Sequence, residues 1–360
     1  MRILWFNWRD IKHPDAGGAE VFTHEIMRRL VKKYDYDVTL FTAQIPNGIA
    51  HEIVDGITII RNGGKYSVYN KAKVYYKKYK NNYDFIIDEI NTRPFLTPRF
   101  VNNKHILAIF HQLAREFWFY ETFFPLNYIG YYFLERRWLS YYQEIPTITI
   151  SDSSKEDLKA LGFKKVLMIP QGLSVIPLDK VPQKETNPTL VFLGRLKKAK
   201  LPDHAIDAFS LIKKEIPDTK MWIIGDGYML RELKKRFNLK DLTFYGYVQN
   251  EIKYRLLSKA HLILVPAVRE GWGIVVTESN AMGTPAVGYN VPGLRDSIKD
   301  NETGILVKEN TPYSLAKSAI SLLKDRNLLL RFSSNALAFS KQFSWDDSAK
   351  AFDKIIKNVF

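Results

Sequence analysis

The chain of 360 residues contains no cysteine, which excludes disulfides and thiolate-bound metal and fits a reducing compartment. It has no apolar run approaching the ~20 residues that a membrane-spanning helix needs. Residues 1–8, MRILWFNW, run straight into a strand-like segment without the charged, apolar and small-residue regions of a secretory leader. The expectation is a cytoplasmic protein, either free or peripheral on the cytoplasmic face of a membrane. No histidine or cysteine cluster has metal-ligand spacing, so no metal is expected, nor any other cofactor. Acidic residues are outnumbered, 38 against 53 lysines and arginines, for a net charge of +15. Such a charge suits nucleic acid, an anionic membrane surface or a phosphate-bearing substrate. A thermophilic or AT-rich source would also produce it. No zinc finger or RNA-recognition motif accompanies the charge, so a nucleic-acid partner has nothing but charge behind it.

What is present is an ordinary globular composition, 46% hydrophobic and 25% charged, in a chain long for one core, so two domains are expected. Strand-length apolar runs alternate with helical periodicity twice over: 1–8, 37–42, 57–61, 85–88, 106–110, 148–150 and 166–169, then again from 189–193. This rhythm is α/β, with two parallel-sheet domains in tandem. The proline-rich stretch after Pro170-Gln171-Gly172 reads as a linker. Ser153 and Glu156 are spaced as a capping box.

Several stretches carry chemistry. Gly17-Gly18 precedes a helical segment at 20–33, where backbone amides and the helix dipole suit an anion, although a tight turn without ligand explains it equally well. His111 follows an apolar run and so belongs at a strand's carboxyl end, where α/β folds bind ligands. Residues 65–83 are rich in lysine and tyrosine, either a basic helix on anionic lipid or a solvated helix with snorkelling lysines. Residues 117–142 are half aromatic, with Glu135, Arg136 and Arg137 among the rings. Tyrosine and tryptophan favour membrane–water interfaces, and an aromatic core or dimer contact is the alternative.

In the second half, Gly194-Arg195 ends a strand and Lys200 follows five residues later, a reasonable diphosphate clamp. The stretch 222–228 runs from a strand into Gly225-Asp226-Gly227, and 244–248 is a glycine-broken strand ending in Tyr247-Val248. The most organised stretch is 264–298. A strand ending at Val265 opens into a loop with Arg269, Glu270, Gly271 and Gly273. A segment to Met282 follows, then Gly283-Thr284-Pro285, a further strand and the turn Pro292-Gly293. Residues 274–277 are β-branched and favour a strand by propensity, but the glycines before them and the stop signal after them predict a helix. Glu270 and Glu278 bracket this loop-to-helix junction.

The motifs GGAE, GRL with a following lysine, GDG, FYGYV and EGWGIVVTE-S-x-A-x-G-x-P, in that order, resemble the retaining glycosyltransferases of family four. The resemblance covers nearly the whole chain. It implies the GT-B fold, two facing Rossmann-like domains: 1–172, completed by a crossing C-terminal helix at 345–360, for the acceptor, and 173–344 for the donor. By resemblance, Glu278 holds the ribose of a nucleotide-diphosphate sugar and Glu270 faces its sugar. Arg195 and Lys200, after Gly194, hold the diphosphate, joined by the amides of Gly271, Trp272, Gly273 and Ile274. Gly17 and Gly18 close over the donor, His111 lies near the sugar, Gly225 is among the donor-binding residues, and the base pocket lies near Tyr247 and Val248. The base, whether of a UDP-, GDP- or ADP-linked donor, depends on that last pocket. The acceptor is a hydroxyl of a glycan or a lipid-linked compound. Two departures stand out: Lys200 is followed by Leu201 where glycine is frequent, and Gln171 stands where asparagine is frequent. A sugar-nucleotide epimerase, a non-catalytic nucleotide-sugar-binding subunit and a nucleic-acid binder are the rival readings. A phosphorylase would need a pyridoxal lysine site, which is not found.

Overall fold

Continuous apolar runs such as Ile3-Leu4-Trp5-Phe6 and Leu262-Ile263-Leu264-Val265 dictate strands covered on both faces, and every one of those residues is buried. The computed structural model describes residues 1–102 and 105–359, so Phe360, the expected end of the last helix, lies outside the described residues. The chain divides into two compact units. One holds Met1–Trp118, Phe124–Gly172 and the segment from Ser344 onward, and the other holds Phe119–Phe123 and Leu173–Phe343.

The first unit contains strands β1 (Arg2–Phe6), β2 (Asp37–Thr42), β3 (His51–Val54), β4 (Ile57–Arg61), β5 (Phe85–Ile90), β6 (His105–Phe110), β7 (Thr147–Thr149) and β8 (Val166–Met168). Their order in the sheet is β3-β4-β2-β1-β5-β6-β7-β8. All neighbours are parallel except β3 and β4, which pair antiparallel. That hairpin departs from the all-parallel expectation. Its cause is Asp55-Gly56, both in the left-handed region (φ 53 and 86), a tight-turn dipeptide that fits a hairpin. The helix Trp345–Val359 packs into this unit, stacking Phe352 on Trp5 at 5.4 Å and donating nothing from Asp353, whose Oδ1 accepts from the Tyr36 hydroxyl at 2.7 Å.

The second unit contains β9 (Thr189–Leu193), β10 (Lys220–Ile224), β11 (Leu242–Gly246), β12 (Leu262–Val265), β13 (Ala286–Gly288) and β14 (Gly304–Leu306), in the order β11-β10-β9-β12-β13-β14 and parallel throughout. Strand order reverses direction between β1 and β5 in the first sheet and between β9 and β12 in the second. Doubly wound sheets open a crevice beyond the carboxyl ends of the strands at such points. The β-branched stretch does form a helix, Ile274–Ala281. Its propensity penalty is a few tenths of a kcal/mol per residue, whereas burying one valine contributes about 1.5–3 kcal/mol, and Val276 is fully buried.

Three local expectations need correction, at a helix cap, the linker and residues 119–123. The helix Asp152–Ala160 is capped by Ser151, whose Oγ accepts from the Ser154 amide at 3.2 Å, so Ser153 lies inside the helix rather than at its cap. The stretch after Gly172 is not a free linker: Leu178 N donates to Ala281 O, and the Lys184 ammonium donates to Thr284 Oγ1 at 2.7 Å. In the basic helix Val68–Tyr79, expected either on lipid or as a solvated face, Val68, Ala72 and Tyr76 pack into the core, while the lysines, Asn70 and Val74 are exposed. Residues 119–123, expected in the first domain, group with the second unit because Glu121 Oε1 accepts from the Ala199 amide at 2.9 Å and Glu121 also receives the Tyr228 hydroxyl.

Candidate functional site

In the second unit the candidate residues collect beyond β9 and β12, the two strands at the reversal. After β9 the chain turns at Gly194, and the next strand's loop must pass against it. A Cβ on Gly225 would sit 2.0 Å from Gly194 O, and one on Gly227 would sit 2.4 Å from Leu196 O. Gly225 therefore serves close backbone packing that shapes the loop. The loop then makes a turn at Lys198–Lys200 and enters the helix Pro202–Glu215 through Leu201, which is left-handed at φ 49. The departure from glycine noted at Leu201 thus leaves the turn in the glycine-like conformation, strained for a leucine by roughly 1–3 kcal/mol. Two tertiary bonds hold the turn: Lys198 N donates to the Tyr228 hydroxyl at 2.8 Å and Val268 N donates to Ala199 O at 3.1 Å.

Lys200 reaches across to Glu270, and the two form an ion pair with side chains only 20% and 13% exposed. Glu270 is set by the chain beyond β12. Its amide donates to Pro292 O at 3.0 Å, and a Cβ on Gly293 would overlap Glu270 O at 2.2 Å, so glycine at φ 82 is what lets the two loops meet. Between Lys200 and Gly194 the structure adds a cation that sequence reasoning passed over, Lys197. Burial, then Arg195 and then Lys200 push its ammonium down to about 8, against the opposing pull of Glu121 and Glu270. Burial lowers it most, and the further lowering by Arg195 and Lys200 marks a region of positive potential that suits an anion.

The helix Ile274–Ala281 begins beside this cluster with Gly273 as its N-cap, in the left-handed region at φ 88 and without a side-chain cap or an acid in the first turn. Its first amides and the dipole are therefore left for a ligand. Trp272 does not share that role through its ring, which packs edge-on against Phe343 at 5.3 Å. One helical turn further on, Glu278 is 7% exposed and receives Lys253 Nζ at 2.6 Å and the Tyr254 hydroxyl at 3.0 Å, both on Oε1. Among the described residues Oε2 takes no hydrogen bond, which leaves it for an incoming hydroxyl. Lys253 and Tyr254, on the helix Asn250–Lys259, were not anticipated; their helical spacing looks like any solvated face. The base-site candidates lie at the sheet edge. Gly246 is left-handed (φ 69), β11 bulges so that Ile224 pairs with Gly246, and Tyr247 beyond it is 82% exposed.

The first-unit candidates are described by themselves. Gly17 caps the helix Gly18–Tyr34 with extended backbone, and Glu20 reaches back to accept from Gly17 N at 2.6 Å while holding Arg9 Nε at 2.8 Å. The chain thus supplies its own anion to that helix start, and one amide of the expected anion site is already taken. His111 sits directly after β6, as its position implied. Its Nε2 contacts Glu89 Oε1 at 2.8 Å, and buried Glu89 also accepts from Trp5 Nε1 at 2.7 Å and from the Thr23 hydroxyl. Sequence reading missed Glu89 because it lies inside a strand that reads as apolar. Asp35-Tyr36-Asp37 spells an Asp-x-Asp pair, but it lies between the end of a helix and the amino end of β2, away from the carboxyl ends of the strands.

Comparisons with known proteins bear on the fold and on the chain's relatives. Residues 178–339 match the family model described as glycosyl transferases group 1. An uncharacterized glycosyltransferase of Methanocaldococcus jannaschii is 29% identical over 234 residues, covering 59% of this chain and 60% of that protein. A poly(glycerol-phosphate) alpha-glucosyltransferase of Bacillus subtilis is also 29% identical, over 54% of this chain and 30% of its own length. The chain therefore spans less than two thirds of either relative. Among solved structures, a sucrose-phosphate synthase from Thermosynechococcus elongatus superposes with a TM-score of 0.81 at 19% identity, over 100% of this chain and 99% of that one. Anabaena HepE in complex with UDP-glucose gives 0.74 at 17% identity, over 99% and 100%. The fold is GT-B, and the family match with these relatives supports a glycosyltransferase.

Proposed function

We propose that the protein is a retaining hexosyltransferase of family four that uses a nucleotide-diphosphate sugar, UDP-, GDP- or ADP-linked, and a hydroxyl acceptor on a glycan or lipid-linked compound. The observation that carries this reading is the cationic cluster of Arg195, Lys197 and Lys200 beyond β9, beside the uncapped start of the helix Ile274–Ala281. In this reading the cluster and the helix amides hold the diphosphate, Glu278 Oε2 takes the ribose, Glu270 meets the sugar hydroxyls, and Gly246, Tyr247 and Val248 border the base. His111, steadied by Glu89, and Gly17-Gly18 are the first unit's contribution. The alpha-glucosyltransferase among the relatives and the UDP-glucose complex of a fold neighbour support a hexose donor.

The chemistry proposed is front-face transfer. The bond from the anomeric carbon to the phosphate oxygen breaks, and the acceptor oxygen bonds to that carbon on the same face. The acceptor proton passes to the departing phosphate oxygen, so no protein acid or base is consumed. The chain's work is then positioning and charge stabilisation, strongest as the phosphate charge grows. Peripheral contact with an anionic membrane surface belongs to the same proposal, supported by the net charge of +15. The test is transfer from each nucleotide sugar by wild type, Lys200→Ala and Glu270→Ala, with circular dichroism as the folding control. Loss of transfer in both folded variants is expected; near-wild-type turnover in either removes its residue from the mechanism.

A further inference from the structure

Within the first unit, the aromatic-rich segment folds around a cavity of about 390 Å3 lined by Arg115, Tyr131, Tyr132, Arg136 and Asp157 among others. Its construction is specific. Gly130–Leu134 forms a π-helical turn, a geometry often found at functional sites. Gly130 starts it because a Cβ there would run into the Trp118 ring at 2.2 Å. The turn presents Tyr131 and Tyr132, and the Arg115 guanidinium stacks on Tyr131 with 5.0 Å to the ring centroid. Buried Glu135 holds the backbone that carries Arg115, accepting from the amides of Ala114 and Arg115 at 2.8 and 2.9 Å. The cavity therefore holds two arginines against one carboxylate. Around it the same segment leaves its large apolar side chains in solvent: Phe124 at 76%, Phe133 at 71%, and Tyr128 and Tyr132 at about half exposure. A soluble surface gains nothing from exposing such rings together, whereas a membrane interface takes rings with a wet edge beside arginines.

We infer that this cavity receives the phosphate of an anionic phospholipid headgroup, with Phe124, Tyr128 and Phe133 entering the interface around it. The inference deepens the membrane contact in the proposed function by giving it a site, and it rests on that reading only for its purpose. The basic helix Val68–Tyr79 is the rival surface, but of its aliphatic side chains only Val74 is exposed, which leaves it charge with little to insert beside the rings of 124–133.

The experiment is co-sedimentation of the full chain with phosphatidylcholine vesicles, with and without phosphatidylglycerol. Binding only in the presence of phosphatidylglycerol is expected. Each arginine near an anionic surface contributes about 1 kcal/mol, so Arg115→Gln with Arg136→Gln should weaken binding roughly thirtyfold. Phe124→Ser with Phe133→Ser should weaken it as well, leaving its salt dependence unchanged. Lys73→Gln with Lys77→Gln, equal in charge and on the rival helix, should matter much less. Equal losses from the lysine and arginine pairs would reduce the effect to net charge and overturn the site, as would full displacement of vesicles by soluble glycerol phosphate, which would make the cavity a free-phosphate site. Nucleotide binding by the same variants, measured by calorimetry, should be unchanged. If the wild type binds no nucleotide, the transferase reading fails; if it binds nucleotide but not the vesicles, only the headgroup site fails.

Discussion

Lys197 offers a test of the diphosphate site that does not depend on knowing the acceptor. Its ammonium is held down to about 8 by burial and by Arg195 and Lys200. A bound diphosphate attracts the ammonium and offsets those two neighbours while burial persists, so it raises the lysine part of the way back toward 10.5. Below pH 8 the free and bound proteins both hold the proton, so affinity is flat. Above pH 8 the free protein has lost it and binding must take one up, so affinity falls as pH rises until the bound-state value is reached. Worked through the linkage relation, the dissociation constant for a nucleotide sugar should rise severalfold, up to about tenfold, between pH 7 and pH 9. The diphosphate diester of a nucleotide sugar does not titrate in that window, and Lys197→Arg separates the lysine's share of the slope from that of a uracil or guanine ring, which begins to ionise at the alkaline end. Isothermal titration calorimetry in buffers of different ionisation enthalpy reads both the affinity and the proton uptake at pH 9. Lys197→Arg, which keeps its charge, should flatten the profile, and Lys197→Met should bind weakly at every pH. A wild-type affinity unchanged from pH 7 to pH 9, with no proton uptake, would refute the coupling of Lys197 to the anion.

Two further outcomes follow from the geometry. Glu278→Gln keeps the side chain's size but removes a charged acceptor worth about 1.5–3 kcal/mol. Nucleotide affinity should therefore drop about 10- to 100-fold by calorimetry, and an unchanged affinity would take Glu278 out of the site. Gly225→Ala forces a Cβ to within 2.0 Å of Gly194 O at φ 133, so both the loop and the fold should suffer. A loss of ~2 kcal/mol corresponds to a melting temperature about 4–8 °C lower, and a variant melting with wild type would contradict the close-packing role.

Much of this architecture was legible because parallel strands buried on both faces print as unbroken apolar runs. β1, β9 and β12 are of that kind, and the residues just beyond them are the candidate site. Arg195 and Glu270 could be named because each stands next to a glycine in the loop after a strand, and Lys200 because it follows Arg195 in the same loop. Lys197 could not, since a third lysine in a lysine-rich turn differs from a solvated one only through burial. Glu89 hid inside β5 for the same reason, and its partners Trp5 and Thr23 are 84 and 66 residues away. Lys253 escaped because its pairing with Glu278 spans 25 residues and two helices. The hairpin β3–β4 had a local signal, Asp55-Gly56, but the alternation expected of its strands is short. The reversal of Ser153 for Ser151 as helix cap reflects two serines of equal propensity that only backbone geometry distinguishes.

The most direct measurement is calorimetric titration of the protein with the UDP-, GDP- and ADP-linked sugars, repeated with Lys200→Ala and Glu278→Gln. The account predicts that one nucleotide sugar binds and that each substitution weakens it by at least about tenfold. Binding of none of the three, or binding that both variants leave intact, would contradict it.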